Sequence, residues 1–170
     1  MSGRMWAMNA RPGADGSRAW PGWAIVGLAA LGTLISGYLV WVHYSGALAL
    51  CAGAGGCETV QASRFASVAG VPVALLGLAL YLALLGLGAW RAGAGPTTPG
   101  AVPLALFGLA LAGTLYSAYL TYLELHVIGA ICPWCVSSAV LVTAICALAA
   151  GDLAGHTTGE GEKGMRGAHH

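Results

Sequence analysis

The sequence predicts an all-α integral membrane protein: a four-transmembrane-helix bundle with an extracytoplasmic loop that contains a short interfacial half-helix. Hydrophobic residues make up 58% of the 170 residues and charged residues only 8%, whereas a soluble domain carries roughly a quarter charged residues. Four apolar runs approach the roughly 20 residues that a bilayer core requires. The 27 glycines are scattered through apolar segments, where small residues let helices approach closely.

The N-terminal part consists of a polar tail and the first span. Residues 1–21 contain three arginines and many small residues, and we expect them to form a mostly disordered cytoplasmic tail. Residues 22–44 form the first predicted span, with Trp23 near one end and Trp41 near the other. Aromatic rings are enriched at both membrane interfaces, which supports these bounds.

A long loop follows over residues 45–70 and carries two cysteines, Cys51 and Cys57, on either side of a glycine-rich segment. Residues 58–69 have the pattern of a short amphipathic helix. Because this helix is too short and too polar to span a bilayer, we expect it to lie in the membrane interface. Cys57 would then stand at the start of this half-helix.

Three further apolar runs complete the bundle. These spans are predicted over residues 71–90, 101–123 and 131–150. Pro72 lies in the first turn of the second span, and residues 91–100, with two prolines, form the next turn. Residues 124–130 are a tight connection, and the polar residues 151–170 are expected to form a cytoplasmic tail.

The distribution of lysine and arginine predicts the orientation of the chain in the membrane. With the N-terminus inside, six of the seven Lys and Arg residues are cytoplasmic and Arg64 lies outside, as the positive-inside rule favours. Both cysteine pairs then lie on the extracytoplasmic side, where disulfides persist. The net charge of +1 without a basic cluster argues against nucleic acid as a partner.

Four cysteines form the candidate redox site. In the motif Cys132-x-x-Cys135, the two thiols share one helical face, and Pro133 suits the first helical position. The positive end of the helix dipole favours the thiolate of Cys132. Cys51 and Cys57, on the same side, can exchange electrons with this dithiol through mixed disulfides. Within a bilayer, a lipid-soluble quinone (ubiquinone or menaquinone) is an available electron acceptor for this dithiol.

A longer pattern connects the two pairs. It consists of Cys51-x5-Cys57-Glu58-x-Val60-x2-Ser63-x-Phe65-x4-Gly70-Val71-Pro72-x4-Gly77-x3-Tyr81, Tyr122-Leu123-Glu124 and Cys132-Pro133-Trp134-Cys135. This pattern strongly resembles the bacterial branch of the vitamin K epoxide reductase family, over about residues 23–150. The resemblance implies a four-helix bundle around a quinone, capped by the loop and its half-helix, and a metal-free thiol–disulfide oxidoreductase activity.

The resemblance also implies roles for individual residues. Cys132 and Cys135 match the active-site pair, with Cys135 facing the quinone, and Cys51 and Cys57 match the shuttle pair, with Cys57 attacking Cys132. The quinone pocket would be lined by Ser63, Phe65, Leu76, Leu80, Leu120 and Ala139. Many bacterial relatives carry a fused thioredoxin-like domain. Since this chain ends too soon for one, we expect a separate periplasmic thioredoxin-fold (DsbA-like) partner.

Two positions depart from the epoxide-reducing members of that family. Those members offer polar, hydrogen-bonding side chains from the second and fourth spans, whereas the corresponding positions here are Val73 and Ala139. The departure favours simple quinone reduction coupled to protein oxidation.

Other interpretations stay open from the sequence alone. The four cysteines are a potential zinc site, although a glycine-rich loop poorly preorganises the tetrahedral geometry that zinc prefers. Cys51 and Cys57 are also a potential static disulfide, in a membrane scaffold or small transporter stapled by such bonds. A transporter commonly carries intramembrane charge, which the predicted spans lack. Haem attachment is excluded because Val136 stands where a histidine is needed.

Several side chains have simpler expected roles. Cys146 is expected to be a packing residue within the fourth span, and the hydroxyl of Ser63 to make a local hydrogen bond. Glu124 and His126 are expected to be solvated anchors at the outer interface, with a proton relay as the alternative.

Overall fold

The computed structural model describes residues 14–46, 56–94 and 98–167. Its elements in chain order are α1 (Ala14–Ser45), α2 (Cys57–Ala62), a 3-10 turn (Arg64–Ala66), β1 (Ser67–Val68), β2 (Val71–Pro72), α3 (Val73–Ala94), α4 (Ala101–Leu123), a π turn (Glu124–Ile128) and α5 (Pro133–Gly167). The two short strands pair in antiparallel fashion, with Val68 opposite Val71.

Within the described residues, four helical segments are long and apolar enough to cross a membrane. They are Gly22–Ser45, Val73–Ala94, Ala101–Ile128 and Pro133–Gly155. α1 packs against α3 and α5, and α4 packs against α5 and α3. The predicted all-α bundle of four membrane-spanning helices is therefore confirmed.

Small residues allow the helices to approach closely. A β-carbon on Gly32 of α1 would overlap the ring of Tyr81 in α3, and one on Gly113 of α4 would overlap the side chain of Leu80. Both glycines thus leave room for larger side chains of α3 in the middle of the bundle. The buried core consists of Ile25, Ala29, Tyr81, Leu84, Val102, Leu106, Ala110, Val142, Ile145 and Ala149.

A buried ion pair joins α3 to α5 at the end of the bundle opposite the start of α5. Arg91 donates from Nε and Nη2 to the two carboxylate oxygens of Asp152, at 2.9 and 2.8 Å. This two-point geometry is the favourable one for a guanidinium and a carboxylate. It fixes the relative position of the two helices far from the cysteine motif.

The loop before α3 differs from its prediction. The helix expected over residues 58–69 ends at Ala62, because Ser63 adopts an extended conformation with φ −70° and ψ 151°. A hairpin turn follows, in which Ala69 and Gly70 both have positive φ, 52° and 82°. Pro72 therefore lies in β2, immediately before α3, and not in the first helical turn as predicted.

The ends of the long helices also differ from the predicted spans. α1 begins at Ala14, inside the segment expected to be a disordered tail, and α5 continues to Gly167, past the predicted span end. Hydropathy marks the part of a helix that crosses lipid, whereas backbone hydrogen bonds let a helix continue through polar sequence. The predicted connection after α4 is mostly the π turn, which ends at Gly129 in the left-handed conformation (φ 67°) that favours glycine.

Candidate active site

The Cys-x-x-Cys motif lies at the start of α5. Pro133 is the first residue of the helix, and the backbone N–H of Val136 donates to the carbonyl oxygen of Cys132 at 3.0 Å. Cys132 is therefore the residue that immediately precedes the helix, as the position of the proline predicts. Both cysteines carry free thiols, and their side chains are hydrogen-bonded to each other.

The thiol of Cys132 is acidic. Its pKa is lowered from 9.0 to about 7, chiefly because the thiol of Cys135 donates a hydrogen bond to its sulfur. Burial of Cys132 and the negative charge of Glu124 oppose this effect, and backbone N–H groups at the start of α5 add to it. Because the thiolate is the reactive form of cysteine, Cys132 is suited to nucleophilic exchange at neutral pH.

Glu124, the first residue of the π turn, lies beside both thiols. Its side chain is only 3% exposed, and Oε2 accepts a hydrogen bond from the backbone N–H of Cys132 at 3.2 Å. The same carboxyl group lies within hydrogen-bond reach of the thiol of Cys135, whose single S–H proton it shares with the sulfur of Cys132. The prediction of a solvated anchor is therefore wrong for Glu124, because donors at the start of α5 satisfy its carboxyl group. His126, in contrast, is exposed and stacks on Tyr122.

The short helix α2 brings a third cysteine to this end of α5. Cys57 is the first residue of α2, is fully buried and is disulfide-bonded. A β-carbon on Gly56 would overlap the backbone carbonyl oxygen of Ile131. This close contact places α2 against the residue that precedes Cys132. Cys51, predicted to pair with Cys57, lies outside the described residues.

A cavity of about 340 Å³ lies between the helices beside the motif, a volume within the range typical of small-ligand sites. Cys135 and Glu124 form part of its wall, so the dithiol borders the cavity directly. Five of the six predicted pocket residues also line it, namely Ser63, Phe65, Leu76, Leu80 and Leu120.

The sixth predicted residue, Ala139, does not line the cavity. α5 contributes Cys135, Ser138 and Val142, which recur at the three- and four-residue spacing of one helical face. Ala139, four residues after Cys135, falls on the other side of Cys135 around the helix, so a helical projection from Cys135 alone does not separate it from Ser138. Val73 does line the cavity, as the resemblance implied.

Polar residues that were not predicted to line the pocket also form part of its wall, among them Tyr81 and Gln61. The hydroxyl of Tyr81 donates to the backbone carbonyl of Ser138 at 2.7 Å, which joins α3 to α5. The hydroxyl of Ser63 donates to the carbonyl of Val60 at 2.7 Å, the local role expected from its sequence position. Gln61 also lines the cavity; it stands one turn after Cys57, and that spacing could have identified it.

The remaining described cysteine lies apart from this site. Cys146 packs against the buried core of the bundle and is not among the residues that line the cavity. Its environment agrees with the expected packing role. In the part of the chain that the structure describes, no group of three or more His, Cys, Asp or Glu side chains is arranged to hold a metal ion.

The chain matches the model of a known protein family. The family model described as "Vitamin K epoxide reductase family" matches residues 23–150. The matched segment includes the second and third membrane-spanning helices, most of the first and fourth, the loop with α2 and the five cysteines.

Proposed function

The chain belongs to the vitamin K epoxide reductase family, whose members are membrane thiol–disulfide oxidoreductases, and we propose that it oxidises a protein dithiol and reduces a membrane quinone. The observation that carries this proposal is the position of Cys135, in the wall of a largely apolar cavity and hydrogen-bonded to an acidic Cys132 thiol. A dithiol at a membrane cavity needs an electron acceptor that dissolves in lipid. A quinone, either ubiquinone or menaquinone, meets that requirement.

The proposed electron path uses two disulfides in series. A thiolate of the partner attacks the Cys51–Cys57 disulfide, and the partner leaves oxidised while the loop pair becomes reduced. The Cys57 thiolate then attacks Cys132 in the Cys132–Cys135 disulfide and releases Cys135 as a thiolate. Cys51 then attacks Cys57 in the Cys57–Cys132 bridge and re-forms the loop disulfide. Cys132 and Cys135 are left as a reduced dithiol.

Quinone reduction completes the cycle. Oxidation of the Cys132–Cys135 dithiol to its disulfide supplies two electrons and two protons, which convert the quinone to quinol. The contact of Gly56 with Ile131 supports the exchange step, because it holds the start of α2 beside the residues of the motif.

The proposed partner is a separate thioredoxin-fold protein on the extracytoplasmic side of a bacterial inner membrane. The excess of Lys and Arg on the opposite side supports this orientation. Thioredoxin-fold proteins present an exposed Cys-x-x-Cys dithiol, which can reduce a shuttle disulfide in a glycine-rich loop by thiol–disulfide exchange.

For the substrate, we propose a quinone and not its epoxide. Val73, which lines the cavity, offers no hydrogen-bonding group. The hydroxyl of Tyr81 from the same helix is already bonded to Ser138. These contacts leave the second and fourth spans with few free polar groups for an epoxide oxygen.

The test is a turnover assay with purified full-length protein in detergent, supplied with a reduced thioredoxin-fold protein or dithiothreitol and a short-chain quinone. We expect quinone absorbance to fall with stoichiometric loss of thiols. Cys132→Ser should abolish turnover, and Cys146→Ala, a matched change of a cysteine outside the cavity, should retain it. Folded protein that oxidises no thiol in a quinone-dependent way would instead point to a disulfide-stapled scaffold or transporter.

A further inference from the structure

One polar atom in the cavity wall has no hydrogen-bond partner. The side-chain nitrogen Nε2 of Gln61 is buried and unpaired among the residues that the structure describes, and Gln61 lines the cavity that Cys135 borders. A buried donor without a partner is costly and uncommon in folded proteins. Its position in the wall therefore points to an acceptor that occupies the cavity.

The geometry of α2 explains why this amide faces inward. Cys57 and Gln61 are four residues apart and share one face of the helix. Cys57 is fully buried, while Thr59 and Ala62 on the other side of the helix are exposed. The face of α2 that carries the disulfide-bonded cysteine is thus the face that carries the unpaired amide.

Neighbouring groups are already engaged and leave the amide available. The carbonyl oxygen of Val60 accepts both the N–H and the hydroxyl of Ser63, at 3.2 and 2.7 Å. On the α5 side of the cavity, the carbonyl oxygen of Ser138 is paired with the hydroxyl of Tyr81. Of the two described α2 residues that line the cavity, Val60 and Gln61, Gln61 is therefore the one whose side chain can donate to a ligand.

We propose that Nε2 of Gln61 donates a hydrogen bond to a carbonyl oxygen of the quinone bound in this cavity. The inference rests on the proposed function and adds a residue that orients the substrate. A quinone is a flat ring with two carbonyl acceptors and no donor, which matches a largely apolar cavity whose wall, within the described residues, includes a buried donor without a partner. Gln61 lies one turn from Cys57 on α2. The same hydrogen bond therefore connects the helix that carries the shuttle cysteine to the bound quinone.

The test compares two probes of similar shape, 2-methyl-1,4-naphthoquinone and 2-methylnaphthalene, of which only the first carries carbonyl oxygens. Binding to the purified full-length protein is followed without a thiol substrate, by quenching of intrinsic fluorescence for the quinone and by competition for the hydrocarbon. Gln61→Met keeps the length of the side chain and removes the donor. We expect it to weaken quinone binding about tenfold and to leave hydrocarbon binding unchanged.

Thr59→Val is the matched control, since Thr59 is a polar residue of the same helix that faces away from the cavity. It should bind both probes like the unmodified protein. Unchanged quinone affinity in Gln61→Met would overturn the inference. Equal weakening of both probes would also overturn it, because that result indicates a change in cavity shape. Gln61→Leu provides the same comparison if Gln61→Met fails to fold.

The role of Gln61 and the proposed function can fail independently in these experiments. If the unmodified protein reduces quinone and Gln61→Met has an unchanged KM for quinone, the role of Gln61 is wrong while the function stands. If the unmodified, folded protein binds and reduces no quinone, the proposed function itself fails.

Discussion

Oε2 of Glu124 lies 3.2 Å from the backbone nitrogen of Cys132 and accepts a hydrogen bond from it. The same carboxyl group is hydrogen-bonded to the thiol of Cys135 and forms part of the cavity wall. Dithiol oxidation releases two protons and quinone reduction consumes two. A carboxyl group that touches both the thiol and the cavity is therefore in position to transfer a proton between them.

Replacement of Glu124 by glutamine tests this proton transfer. Glu124→Gln keeps an oxygen for the N–H of Cys132 but cannot accept the proton of Cys135. We expect kcat for quinone reduction to fall roughly 10²-fold, the lower end of the range for general acid–base catalysis, with little change in KM for quinone. The measurement is steady-state turnover at several quinone concentrations.

His126→Gln is the matched control, because His126 lies on the same π turn but is exposed. It should retain nearly full turnover. A Glu124→Gln variant with unchanged kcat, or an equal loss in both variants, would show that the carboxyl group has only a structural role.

The lowered pKa of Cys132 predicts how the thiolate fraction of the reduced protein changes with pH. Since its pKa is lowered from 9.0 to about 7, the thiolate predominates above pH 7 and is lost as the pH falls below it. In the reduced protein, ultraviolet thiolate absorbance should rise with a midpoint of about 7, and Cys132→Ser should lack this transition. Cys135→Ala should raise the midpoint by removing the donor thiol, and Glu124→Gln should lower it by removing a nearby negative charge. A midpoint near 9 in the unmodified protein would refute this prediction.

The sequence was sufficient to predict the bundle and the position of the dithiol. Four apolar runs of spanning length have few alternatives to a bundle of membrane helices. Pro133 marks the start of α5 because its missing N–H and fixed φ suit the first helical position. In both cases the deciding property is local: residue polarity over about 20 positions, or the backbone preference of one residue.

The details of the site depend on tertiary contacts, which a single sequence does not display. The burial of Glu124 requires the N–H of Cys132, eight residues later, as a partner, and hydropathy alone assigns a carboxylate near a span end to the surface. α2 ends at Ala62 because Ser63 is extended, and the hairpin turn at Ala69 follows; the amphipathic pattern over residues 58–69 reveals neither. Ala139 was assigned to the cavity by resemblance, whereas the rotation of α5 places Ser138 there.

The contact between Gly56 and Ile131 predicts that Gly56 tolerates no side chain. In Gly56→Ala, the new β-carbon would overlap the backbone carbonyl of Ile131, so the start of α2 must move away from the motif. Because misplacement by about 1 Å can slow a reaction on the order of 10²-fold, we expect a comparable loss in the exchange between the two cysteine pairs. Single-turnover mixing with a reduced partner protein measures this rate.

Gly37→Ala is the control for Gly56→Ala, since no atom lies within 4 Å of a β-carbon built at Gly37. It should exchange at the rate of the unmodified protein. An unchanged exchange rate in Gly56→Ala would mean that the position of α2 does not limit thiol–disulfide exchange between the two cysteine pairs.

The orientation in the membrane can be tested through Cys51. The distribution of Lys and Arg predicts that both cysteine pairs lie outside the cytoplasm. A membrane-impermeant maleimide added to intact, reduced cells should therefore label Cys51, and Cys51→Ala should lose that label. Labelling that requires an opened inner membrane would reverse the orientation and exclude a periplasmic partner.

Cys135→Ala tests the order of the relay. In this variant Cys132 keeps its thiol but has no neighbour with which to form a disulfide. Its thiolate can still attack the sulfur of Cys57 in the loop disulfide, which forms a Cys57–Cys132 bond and releases Cys51 as a thiolate. The acidic thiol of Cys132 and the placement of α2 against Ile131 both favour this attack.

Because the variant lacks Cys135, no Cys132–Cys135 dithiol can form beside the cavity, and the quinone has no two-electron donor there. We expect the Cys57–Cys132 disulfide to accumulate, visible by mass spectrometry as a linked peptide after digestion without reductant, while added quinone stays oxidised. Adding Cys146→Ala to the variant should leave the linked peptide unchanged, since Cys146 lies in the core away from the cavity. A Cys51–Cys132 peptide would reverse the order of the shuttle pair, and the absence of both linked peptides would exclude the relay.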